Sequence, residues 1–134
     1  MERATQTRSD GERGQSLLET ALMIVVIFTV AFWTIETGEL VYTYSVLADA
    51  ANEGVRYAIV HSGGDVTNTQ ATVLAFAKAS KHNVSGITTS VTFPDGSATP
   101  PNRVRVAVTY AYVPTLGSFS PSMKTYAEGR MVVQ

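Results

Sequence analysis

From Leu17 to Ile35 the chain is apolar apart from Thr20, Thr29, Thr34 and one carboxylate, Glu19, and from Ala21 to Ile35 it carries no charge. At 1.5 Å per residue this run spans roughly 28 Å as a helix, close to the hydrocarbon thickness of a bilayer. Trp33 lies near its far end, where an interfacial indole is favoured. A carboxylate in hydrocarbon costs at least about 2.5 kcal/mol, so Glu19 calls for a partner or a function. Beyond Ile35 the pattern changes period without losing its helical character. Leu40, Tyr44, Leu47, Ala51, Val55 and Ala58 recur at steps of three and four, the stripe of an amphipathic helix. Glu39, Thr43, Asn52, Glu53 and Arg56 fall on other faces. Gly38 and Gly54 each weaken such a helix by about 1 kcal/mol relative to alanine. The sequence from His61 to Gly64 supplies a stop. One helix from Gln15 to His61 is therefore expected, roughly 70 Å long.

The remaining pattern predicts a small head. Asp65-Val-Thr-Asn-Thr offers several N-caps, and Gln70 to Ser80 reads as helix, with Val73, Leu74, Phe76 and Ala77 apolar. Ile87, Thr89, Val91 and Phe93 alternate with polar residues, as in a strand. Pro94 to Asn102 is a loop by its turn residues. Val104, Val106, Val108, Tyr110 and Tyr112 face one way, and Arg103, Arg105, Ala107 and Thr109 the other. A last strand is expected from about Lys124 to Val133. Three strands with one apolar face need a cover, which the two helices supply. The expected class is α+β: a long N-terminal helix, membrane-spanning in its first half and amphipathic in its second, packed with a short helix on a small antiparallel sheet. Leu116 and Phe119 sit in a turn-rich stretch between the last two strands. Either they tuck under the sheet edge, or they form a contact for another subunit or for the membrane surface.

Charge sets the orientation. Arg3, Arg8 and Arg13 precede the run, and no Lys or Arg follows it until Arg56. The positive-inside rule then keeps the amino end cytoplasmic and places everything after Ile35 outside. A cleaved secretory signal is disfavoured, because the nearest small-x-small site, Ala48-Asp49-Ala50, lies far past the run. A plain signal-anchor remains open, although it has no use for Gly14 or Glu19. The net charge of −1 over 134 residues gives no basic footprint for nucleic acid. The absence of cysteine excludes disulfides, lipoprotein acylation and thiolate metal sites. His61 and His82 fit no metal spacing. No nucleophile elbow, phosphate loop, GxGxxG or complete calcium loop occurs. Asn83-Val-Ser matches a glycosylation sequon, a tripeptide that often arises by chance. The expectation is a non-enzymatic protein with no catalytic residues, cofactor, metal or small-molecule substrate.

Arg13-Gly14-Gln15-Ser16-Leu17-Leu18-Glu19 resembles the processing site of type IV prepilins. The run from Gly14 to Ala21 and the later Tyr44-Ser-Val-Leu-Ala-Asp-Ala-Ala-Asn-Glu-Gly-Val-Arg-Tyr-Ala are similar to the TadE-like pseudopilins of the tight-adherence (Tad/Flp) pilus machinery. The resemblance covers residues 13–61 well and the rest loosely. It implies that prepilin peptidase cuts after Gly14, so that Gln15 becomes the amino terminus and Glu19 the fifth mature residue. It thus implies a cytoplasmic leader (1–14), a long helix (15–61) with the span at about 17–35, and an extracytoplasmic head (62–134). The implied role is a minor pilin of the inner membrane that joins or primes an adhesive extracellular pilus. Its implied partners are the peptidase, other pilins and pseudopilins, the assembly platform and the lipid bilayer. Physics supports the same role for Glu19: a new α-amine and this carboxylate can neutralise each other near the membrane edge, fixing axial register between subunits. A more abundant filament subunit and an uncleaved, membrane-tethered binding module are the alternatives.

Overall fold

In the computed structural model, which describes residues 6–61, 65–80, 85–115 and 120–132 with side chains from Gly14 onward, five elements follow one another. They are α1 (Gln6–Val60), α2 (Val66–Ser80), β1 (Ile87–Thr92), β2 (Arg103–Ala111) and β3 (Ser122–Arg130). The chain divides into two units, Met1–Gly38 and Glu39–Gln134. The α+β expectation holds, with a long first helix, a short second one and a three-stranded antiparallel sheet in the order β1-β2-β3.

The helix begins at Gln6 rather than Gln15. Residues 6–14 hold no proline, and Gln6, Arg8, Glu12 and Arg13 are good helix formers. The described residues of the first unit, 6–38, are all helical. Leu17, Leu22, Ile27, Phe28, Trp33 and Ile35 are all exposed along it. Four threonines in and just beyond the apolar run bond back to their own helix. Thr20, Thr29, Thr34 and Thr37 donate to the carbonyls of Ser16, Val25, Val30 and Trp33 at 2.8–2.9 Å. Each hydroxyl is thereby satisfied without water, which is what an apolar solvent demands.

In the second unit the sheet is built on β2. Val104, Val106 and Val108 are fully buried, and Tyr110 and Tyr112 nearly so, as period-two alternation requires. Arg103 and Arg105 point the other way. Ala107, on the outer face with the arginines, is nevertheless buried, and Tyr126 is its partner in register on β3. The helices close the apolar face, with Leu47, Ala50, Ala51, Val55 and Ala58 from α1 and Val73 and Ala77 from α2. One member of the expected α1 stripe is corrected. Tyr44 is exposed and Thr43 is buried in its place. At 3.6 residues per turn either position can face the sheet, and the smaller side chain fits where helix and strands approach closely.

Close approach is the device that packs the head. A Cβ at Gly54 would collide with Val73 Cγ2 and come within 3.2 Å of Val106 Cγ1. At Gly129 on β3 it would meet Ile59 and lie 2.7 Å from Val55 Cγ1. These two glycines let α1 lie against α2, β2 and β3. Gly38, by contrast, has open space around it.

The second helix starts at Val66, earlier than Gln70, because Asp65 caps it. The Asn68 backbone N–H donates to Asp65 Oδ1 at 3.1 Å and its side-chain amide donates to Oδ2 at 2.7 Å. These bonds to Asn68 lower the Asp65 pKa, with a smaller contribution from His61. Asp65→Ala is expected to lower the melting temperature of the head by a few degrees and to speed amide exchange in the first turn of α2. The Thr69 hydroxyl, buried behind the cap, donates to the Asp65 carbonyl at 2.8 Å.

Candidate processing and assembly segment

Gly14, Gln15 and Glu19 all lie on α1 and all are exposed. The peptide after Gly14 is helical, with nothing within 4 Å of a Cβ built there. Glycine is the weakest helix former after proline, so local unwinding costs little here. Gln15 and Glu19 are one turn apart. Together with Leu22, Met23 and Val26 they form a continuous face of the helix. Among the described residues Glu19 makes no ion pair. Glu19 is the one acid on that face, one turn after Gln15 and followed by apolar Leu22, Met23 and Val26.

Leu116 and Phe119, expected either to tuck under the sheet edge or to form a partner contact, lie outside the described residues, as does His82. His61 follows the end of α1. Its ring stacks on Tyr57 with centroids 4.1 Å apart and an interplanar angle of 12°. Its Nδ1 donates to the Tyr57 carbonyl at 3.1 Å. Among the described residues no group of three or more His, Asp and Glu side chains could hold a metal.

Sequence reasoning missed a polar network on the outer face of the sheet. Arg103 donates to Asp95 through its side chain at 2.7 Å and through its backbone N–H at 2.8 Å. Glu128 accepts from Arg105 and lies 3.9 Å from Arg103. Arg105 in turn sits 5.1 Å from the centre of the Tyr126 ring. The alternation of β2 placed both arginines on this face, but only strand register brings Glu128 opposite Arg105. The two bonds from Arg103 hold the Asp95 pKa down, from 3.8 to about 2. A carboxylate with a depressed native pKa stabilises the fold above its unfolded value and loses that contribution as pH falls through the native one. The stability difference between Asp95→Asn and the parent chain is therefore expected above pH 3.8 and should vanish toward pH 2. Urea unfolding over a pH series measures it. Because the pair is exposed, the effect is small and shrinks with added salt.

An apolar helix long enough to cross a bilayer, joined to an α+β head, defines a single-pass membrane protein. Residues 14–56 match the model of the TadE-like protein family, so that segment is similar to TadE-like proteins. The match opens at Gly14 and ends at Arg56, so it covers the apolar run and most of the stripe that packs on the sheet, and none of the strands. No curated protein and no solved structure gives a significant match.

Proposed function

We propose that this chain is a minor pilin of a Tad/Flp-type pilus, inserted in the inner membrane with its amino end cytoplasmic and its head outside. Prepilin peptidase removes the leader after Gly14. The α-amine of Gln15 and the Glu19 carboxylate then set the axial register of helices packed in or beneath the filament, where the subunit joins or primes assembly for surface attachment. Its role is structural, not catalytic. Its partners are the peptidase, other pilins and pseudopilins, and the assembly platform. The observation that carries this reading is the coincidence of three features at one place: an exposed glycine, an acid five residues on, and an apolar run, charge-free from Ala21 to Ile35, within a segment that matches the TadE-like family from that same glycine.

Intact-mass and amino-terminal analysis of the protein from cells with active prepilin peptidase tests it. A mature chain beginning at Gln15 is expected, and Gly14→Leu should accumulate at full length. Recovery of the parent chain with its leader intact would favour the tethered binding module instead. A mass lower by one ammonia would show that Gln15 has cyclised, which would leave Glu19 to find its counter-charge on a neighbouring subunit's side chain.

A further inference from the structure

The direction of α1 across the sheet identifies which end of the head joins the membrane segment. Ala58, late in α1, and His61, just after its end, line a small cleft with Val91, Phe93 and Met131. Gly54 abuts Val106, and Val55 lies against Gly129. The helix therefore runs from the Tyr110 end of β2 toward its Val104 end. Tyr42 agrees, since its phenol donates to the Ser80 carbonyl at the C-terminus of α2, at 3.0 Å. The end at which Glu39 begins the head thus gathers the last turn of α2, the start of β1, the end of β2 and the start of β3.

That end is apolar and basic. Val41, Tyr42, Tyr44 and Val113 are 51–74 % exposed there. Lys78 in the last turn of α2 and Lys124 near the start of β3 are exposed at the same end, and neither makes an ion pair among the described residues. Asp95 and Glu128 sit toward the opposite end with the arginines that hold them. Glu39, also exposed at the near end, is the group that must stay in the aqueous layer.

Chain connectivity keeps the start of this end close to the bilayer. Only Glu36, Thr37 and Gly38 separate Ile35 from Glu39, so the head begins within about 14 Å of the end of the apolar run at any angle between the two units. The interfacial layer of a bilayer is roughly 5–8 Å thick on each side. Tyrosines with an apolar body and a polar tip, and lysines whose stems lie along apolar surface, are the residues that this layer retains.

We propose that the Val41–Tyr44 and Val113 end of the head docks into the interfacial layer of the bilayer that α1 crosses. The inference rests on the single-pass reading. Docking would hold the unassembled subunit down on the membrane and withdraw its apolar end from water until a neighbouring subunit replaces the lipid.

The chain has no cysteine, so single nitroxide labels can be placed in the full-length protein. Val113→Cys reports the proposed surface, Thr92→Cys the opposite end and Ile27→Cys the span. Each variant must first reproduce the parent melting profile. The labelled chains are reconstituted at one copy per nanodisc of phosphatidylcholine and phosphatidylglycerol, and collision with oxygen and with a water-soluble nickel chelate is measured by power saturation. Position 113 is expected to be several-fold less accessible to nickel than position 92, and position 27 to be reached by oxygen alone. Equal nickel access at 113 and 92, with 27 still protected, would overturn docking and leave the span reading intact. Nickel access at 27 would overturn both. Protection of 113 only in discs holding two or more copies would overturn the lipid surface as the occupant and assign this end to a second chain.

Discussion

Gly54→Leu is expected to abolish cooperative folding of the head. The first atom of any side chain at 54 already collides with Val73 and crowds Val106. Both valines are fully buried, so neither has solvent to move into. Overpacking a tight core costs about 1–3 kcal/mol for a few added methylenes, and leucine adds four carbons between a helix and two other elements. A head of this size is held by only roughly 5–14 kcal/mol in total. Alanine is the graded version: it gains about 1 kcal/mol of helix propensity and loses more to the clash, for a net destabilisation of about 1–2 kcal/mol. Gly38→Ala, made where there is open space, is the control and should be neutral or stabilising. Hydrogen exchange of the Val106 and Val108 amides, together with thermal melting, reads all three variants. If Gly54→Leu kept parent-like protection at Val106, helix and sheet would not approach as closely as described.

The second large effect is expected at Glu19. Glu19→Ala removes a charge from an apolar segment, so insertion should be preserved or improved; the ionised group opposes insertion by about 2.5–3.5 kcal/mol at mid-span and by less near the end of the helix. Assembly should suffer instead. If this carboxylate meets the amine of a neighbouring subunit, its loss leaves that amine unmatched in a low-dielectric setting. Each 1.4 kcal/mol lost per contact then reduces incorporation about tenfold. Glu19→Gln, which keeps the shape but not the charge, should fail almost as badly as alanine. Immunoblots of sheared filaments against membrane fractions measure the partition. Filament incorporation by Glu19→Ala at the parent level would show that Glu19 does not set register, whatever the outcome of amino-terminal sequencing.

Much of this molecule is legible along the chain because its strongest signals are local. The apolar run from Leu17 to Ile35 needs no partner to declare a helix of membrane length. Positive flanks and the Gly14–Glu19 spacing lie within the same stretch. The β2 alternation was equally clear, since a central strand with one buried face repeats every two residues. Boundaries were less so. The start of α2 moved to Val66 because only one of several possible caps, Asp65, closes both bonds to Asn68.

The sequence by itself determined the apolar helix of membrane length, the amphipathic continuation and the α+β class, because each depends on period, length or spacing within a few turns. Tertiary structure alone decided what depends on distance between elements. It buried Thr43 rather than Tyr44. It set Glu128 opposite Arg105 and brought Asp95 to Arg103. It turned Gly54 from a weak point in a helix into the place where α1, α2 and β2 meet, since the value of a missing side chain lies in what occupies its space.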